Sequence, residues 1–192
     1  MTQYFLIGGY PKKGKNSGRD FCEAFLSNLP ENSLVLICSF ARKENEWENS
    51  YQEMTQFFIL HLPHKKLRFE NANIENFSEQ VARAGAMFFR GGDDAKLFEC
   101  LRKVGEWQKF LENKNVAGTS AGADVLSQYY YDITDGTIKE GLGLAKVKVI
   151  PHFESAEYNV DWQQAKAKLE NFHPEVPTWC LREGAFKETT NS

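Results

Sequence analysis

The sequence has little that would mark a special environment. No apolar run in its 192 residues approaches the roughly 20 that a membrane-spanning helix needs, so a membrane location is not expected. It contains no internal repeat and no low-complexity segment, which sets aside fibrous and disordered classes. Its four cysteines, Cys22, Cys38, Cys100 and Cys180, stand far apart with no C-x-x-C pair, so they read as free core-filling thiols with no metal role. No charged leader precedes the strand-like Tyr4-Phe5-Leu6-Ile7, and a cytoplasmic setting is the expectation. Neither charge dominates: 23 Lys+Arg against 26 Asp+Glu, a formal net of -3, gives no electrostatic reason to expect nucleic acid or an acidic membrane surface. The one basic cluster, Pro11-Lys12-Lys13-Gly14-Lys15, reads as a solvated loop. With 42% hydrophobic and 26% charged residues, residues 1–192 read as one ordinary globular domain.

What is present is an alternation of apolar runs and helix-period segments. Strand-like runs occupy residues 4–8, 33–40, 66–69, 85–89, 116–118, 146–150 and 178–181. Helical patterns fill 19–29, 46–60, 75–84, 95–110 and 161–172, while 187–192 reads as a polar tail. This predicts an α/β fold, three layers deep, with a mostly parallel sheet covered by helices on both faces. Such sheets bind ligands at the C-terminal ends of their strands, so the loops after 89, 118 and 150 become candidates.

The loop after the strand at 116–118 carries Gly118-Thr119-Ser120-Ala121-Gly122, the G-x-S-x-G form of a nucleophile elbow. A serine hydroxyl needs a base to take its proton. Of the four histidines, His61 and His64 flank Pro63 and read as turn residues, and His173 reads as a helix-end residue. His152 follows an apolar strand at the same sheet end as Ser120 and is the candidate base. The base needs a carboxylate to fix its tautomer. Asp135 and Glu183 compete for that role, with Asp132 a third candidate, and spacing does not separate them. Oxyanion donors are expected from Ala121 and from the Gly91-Gly92 turn. Arg90 and Asp93 flank that turn as candidate contacts for a substrate terminus.

Taken together, these residues resemble the peptidase S51 family, which includes α-aspartyl dipeptidase (peptidase E) and cyanophycinase. The resemblance rests on Ser39-Phe40-Ala41 with Trp47 and Tyr51, Phe89-Arg90-Gly91-Gly92-Asp93, the elbow through Ala123, and Thr134-Asp135-Gly136. It continues through Gly141-Leu142-Gly143-Leu144, Ile150-Pro151-His152-Phe153 and Leu181-Arg182-Glu183-Gly184. It implies a class I glutamine amidotransferase-like, flavodoxin-like fold with Ser120 as nucleophile and His152 as base. The acid falls on Asp135 in the peptidase E-like pattern and on Glu183 in the cyanophycinase-like one. Arg90 and Asp93 stand where the family usually has a third glycine and an asparagine, which speaks against a simple transfer of aspartyl specificity. The short segment after Glu183 implies a shortened pocket wall. The expected activity is a cofactor-free serine peptidase acting on short peptides, as in peptidase E-like dipeptidases. Alternatives are a serine esterase or amidase on a non-peptide substrate and a non-catalytic amidotransferase-like binding domain. The expected partner is a small peptide; assembly as a homodimer stays open.

Overall fold

The computed structural model describes residues 1–191; Ser192, the end of the expected tail, lies outside them. Ten strands appear: β1 (Thr2–Ile7), β2 (Leu34–Cys38), β3 (Arg68–Asn71), β4 (Ala86–Phe89), β5 (Asn115–Thr119), β6 (Ser127–Asp132), β7 (Thr137–Glu140), β8 (Ala145–Ile150), β9 (Thr178–Cys180) and β10 (Phe186–Asn191). Six α-helices intervene: α1 (Arg19–Leu26), α2 (Trp47–His61), α3 (Phe77–Arg83), α4 (Asp94–Lys103), α5 (Ala121–Leu126) and α6 (Trp162–Asn171). The strands form two sheets, one ordered β10-β1-β5-β4-β2-β3 and the other β7-β6-β8-β9. Within the first, β1, β5, β4, β2 and β3 run parallel and β10 runs antiparallel to β1. The result is an α/β fold of mostly parallel sheets with helices on both sides.

Period-two alternation divides the core. Tyr4 and Leu6, Leu34 and Leu36, Met87 and Phe89, and Val116 face one way, where α3, α4 and α5 cover them with Phe77, Val81, Leu97, Leu101 and Val125. Phe5 and Ile7, Val35 and Ile37, Phe88 and Ala117 face the other way, against Phe21, Phe25, Phe57 and Phe58 of α1 and α2. Burial on both faces explains why these strands are continuous apolar runs in the sequence. A third cluster, built from Tyr131, Ile150, Phe153, Ala165 and Leu169, fixes α6 to the second sheet.

Lys148 of β8 is buried, and its ammonium caps the end of α6. It donates to the carbonyls of Leu169 at 2.7 Å, Glu170 at 3.3 Å and His173 at 3.0 Å, and also to that of Phe172. These are the orphan carbonyls of a helix C-terminus, and a cation there also complements the helix dipole.

The structure corrects the expected elements in three places. Residues 186–191 form an edge strand paired along β1, where a polar tail is expected. The segment after the elbow helix becomes the β6–β7 hairpin and founds a second sheet. The helix expected over 95–110 stops at Lys103, and Gly105, at φ 72°, turns the chain into a short 3-10 segment at 107–110.

Candidate active site

Ser120 stands between β5 and α5 with φ 51° and ψ -119°, a left-handed conformation that is costly for a residue with a Cβ. Its N–H donates to the Ile7 carbonyl at 3.0 Å, and its own carbonyl accepts the Asp124 N–H at 3.0 Å, so the turn is held from both sides. The flanking glycines are needed for close approach. A Cβ on Gly118 would meet the Gly122 backbone at 2.4 Å, and one on Gly122 would meet the Phe89 carbonyl oxygen at 2.4 Å. The small residues of the elbow therefore let β5, α5 and the end of β4 converge under the serine.

His152 follows β8 and also has a positive φ, 57°. Its backbone N–H donates to Gly8 O at 2.6 Å, which ties the end of the second sheet to the end of β1 in the first. Its ring bridges two side chains: Nε2 lies 2.8 Å from Ser120 Oγ and Nδ1 lies 2.6 Å from Glu183 Oε1. Glu183 follows β9 and is only 15% exposed at its side chain. In this arrangement an Nδ1–H donor to Glu183 leaves Nε2 free to accept the serine proton.

The structure brings Glu183, not Asp135, to His152. Asp135 sits on the turn between β6 and β7, where its carboxylate accepts from Thr137 N–H at 2.9 Å and Thr137 Oγ1 at 2.5 Å and pairs with Lys139 at 3.1 Å. The Thr137 hydroxyl and amide, with Lys139, hold its pKa down at about 2. Asp132 accepts the Thr134 N–H at 2.7 Å and pairs with Lys139. Asp93 is likewise occupied, because it caps α4 by accepting the Lys96 N–H at 3.0 Å.

Gly91 abuts the serine; a Cβ there would stand 2.9 Å from Ser120 Cβ. The Gly91-Gly92 turn is held on either side by Arg90 N–H donating to Cys38 O and Asp93 N–H to Ala41 O, both at 2.9 Å. Ala121, the first residue of α5, has an N–H with no intrahelical acceptor. Ser120, His152, Gly91 and Gly92 open into a cleft of about 490 Å³ that also contains Lys12, Arg42, Glu53 and Arg90. The Arg90 side chain is 13% exposed and makes only long contacts, 3.3 Å to Glu53 and 3.4 Å to Ser50 O. Burial and the neighbouring Arg42 lower its pKa.

Two contributors escape a reading of the sequence. Gly8-Gly9 forms the floor beneath the histidine: a Cβ on Gly9 would lie 2.3 Å from His152 Cε1 and 2.8 Å from Glu183 Oε2. Its signal is a pair of glycines directly after an apolar strand. Tyr158 packs its ring 4.9 Å from that of His152, from an irregular loop with no periodicity to flag it.

The profile of Peptidase family S51 matches residues 4–187. Among solved structures, a peptidase from an acI-B1 Actinobacterium superposes with a TM-score of 0.69 at 23% identity, over 98% of this chain and 83% of that one. A protein of Listeria monocytogenes EGD-e provisionally named peptidase E gives a TM-score of 0.64 at 18% identity, over 100% of both chains. No curated protein matches the sequence. Among the described residues, no helix is long and apolar enough to cross a membrane.

Proposed function

The chain belongs to peptidase family S51, and from that membership we propose that it is a serine-type peptidase hydrolysing short peptides, with Ser120, His152 and Glu183 as its catalytic residues. The observation that carries this reading is the hydrogen-bonded series from Ser120 Oγ through both nitrogens of His152 to Glu183 Oε1. His152 Nε2 removes the serine proton as Oγ attacks the scissile carbonyl, and Glu183 stabilises the imidazolium that forms. The N–H groups of Ala121 and of the Gly91-Gly92 turn receive the oxyanion. Collapse of the tetrahedral intermediate breaks the C–N bond, and His152 returns its proton to the leaving amine. Water then attacks the acyl-serine by the same proton path.

The wide cleft carries Lys12, Arg42 and Arg90 against Glu53. This excess of positive charge favours peptides with a carboxylate on that side of the serine. All four cysteines are free, in keeping with a reducing, cytoplasmic setting. The test is a dipeptide panel assayed by amine release, run beside labelling with a fluorophosphonate. Hydrolysis and labelling that both vanish in Ser120→Ala support the reading; hydrolysis that survives in that variant overturns it.

A further inference from the structure

Two loops from distant parts of the chain meet beside the catalytic histidine. One follows β1 and carries Tyr10 and Lys13; the other follows β8 and carries His152 itself, Glu157 and Tyr158. The second loop turns back on its own start: Ser155 N–H donates to His152 O at 2.9 Å, Tyr158 N–H to Ser155 O at 3.4 Å, and Glu157 N–H to Ser155 Oγ at 3.3 Å. That winding brings the half-buried Tyr158 ring to the imidazole, 4.9 Å away and tilted by 46°. From the first loop, the Tyr10 ring stands 6.1 Å from the same imidazole at 66° to it. A side-chain bridge joins the loops. Lys13 Nζ lies 2.6 Å from Glu157 Oε1 and 4.4 Å from the centre of the Tyr10 ring, so one ammonium engages both sides. Tyr10 is half exposed and held at φ 28° and ψ 76°, a conformation that is costly for a residue with a Cβ. Burial in a core does not account for such an outlier; its place beside a catalytic ring points to function.

We propose that Tyr158 is a positioning residue for His152, and that the Lys13–Glu157 bridge, with Tyr10, braces it in place. The proposal rests on the peptidase reading and adds what orients the base. The Nδ1 bond to Glu183 holds the imidazole at one point. A single hydrogen bond tolerates about 30° of bending, and a swing of that size carries Nε2 away from Ser120 Oγ. Misplacement of a reacting group by about 1 Å costs roughly 100-fold in rate. A ring packed on the imidazole removes that swing and adds no charge or competing base. Burial, and the nearby Tyr10, Glu183 and Glu157, raise the Tyr158 hydroxyl above its ordinary value, so it stays a neutral phenol while His152 gains and loses its proton. Tyr158 also borders both the wide cleft and a smaller pocket of about 120 Å³ that open at Ser120, so solvent entering from either side meets its ring. The His152 side chain is accordingly only 7% exposed.

The experiment compares Tyr158→Leu, Tyr158→Phe, Lys13→Met and the double variant Lys13→Met/Tyr158→Leu with the wild type. Three quantities are read: kcat and KM on the dipeptide panel, the rate of fluorophosphonate labelling, and the low-field proton resonance of His152 Nδ1–H in water. Tyr158→Leu is expected to lower kcat and the labelling rate by about ten-fold or more with KM within about two-fold, and to lose the resonance through exchange with water. Tyr158→Phe is expected to restore all three, because the ring does the positioning and the hydroxyl does not. Lys13→Met is expected to lower kcat by about two- to five-fold, the scale of an exposed ion pair. The double variant should be no worse than Tyr158→Leu, since the bridge acts through the ring. Lys13→Met keeps the test open if Tyr158→Leu does not fold. Labelling and resonance in Tyr158→Leu equal to those of the wild type overturn the proposal, as does a resonance absent from every protein. A Tyr158→Phe variant as impaired as Tyr158→Leu overturns it too, by making the hydroxyl the working group; losses that multiply in the double variant overturn the brace. If the wild type cuts no peptide yet is labelled and shows the resonance, the peptidase reading falls, and the same two signals still decide whether Tyr158 positions His152.

Discussion

Replacing Ser120 by alanine removes one oxygen atom from a turn whose backbone is held by Ile7 O and Asp124 N–H. The fold is expected to persist while kcat drops on the order of a million-fold, as read by amine release. His152→Ala should reach a similar floor, and the double variant should be no worse than either, since the two share one proton transfer. Effects that multiply would mean that they act in separate steps. Asp124 gives a different expectation. Its carboxyl is raised above 3.8 in the folded protein, so folding takes up a proton and stability falls as pH rises through that value towards the folded pKa. Asp124→Asn, measured by urea unfolding without peptide, should therefore be more stable than wild type at neutral pH. The advantage should vanish as the pH falls below 3.8, where the acid becomes protonated in both states. At this scale the sequence exposes Ser120 and His152, because each follows an apolar strand in a motif with chemical content. Spacing does not separate Glu183 from Asp135, since a triad is a spatial arrangement; in the structure Glu183 meets His152, while Thr137 and Lys139 occupy Asp135. Gly9 stays invisible because it acts through the side chain it lacks.

Among the elements, the strand β1 and the turn that follows it contribute most by close approach. Gly9→Ala would place a methyl group against the His152 ring at a position with φ 135°. The ring must shift by about an ångström and the backbone is strained, so a roughly 100-fold fall in kcat together with a lowered unfolding midpoint is expected from kinetics and urea titration. Helix α6 depends on one buried amine. Lys148→Met leaves the terminal carbonyls without a donor and should cost on the order of 2–4 kcal/mol by urea unfolding. Elements buried on both faces, such as β2 with all five residues buried, stand out as apolar runs. The hairpin strand β7 is polar and half-exposed, and β10 is polar along an edge, so neither carries the alternation by which strands are recognised. In β6, Ser127-Gln128-Tyr129-Tyr130-Tyr131 follows directly on the elbow helix with no turn residue to announce the change.

Across the whole molecule, the α/β class is legible because an alternation of strand and helix patterns needs no knowledge of which strands pair. That the strands divide into two sheets is not, since the division depends on registers such as Tyr130 with Val149, far apart in the chain. The site lies where the sheets meet: Ser120, Gly8-Gly9 and Gly91 come from the first, His152 and Glu183 from the second. Gly184 N–H bonds Gly9 O at 2.8 Å and His152 N–H bonds Gly8 O at 2.6 Å, so segments from opposite ends of the chain close the arrangement. This gives hydrolysis a place in time. Helices and local strand pairs form early after dilution from urea, whereas contacts of such long sequence separation form last. In stopped-flow refolding, far-ultraviolet ellipticity should return before any amine is released, and turnover should appear only with the slowest phase. An intermediate that hydrolyses peptide before both sheets are docked would show that half of the molecule is enough; otherwise the enzyme is silent until the last seam closes, and a nascent chain is spared its own activity.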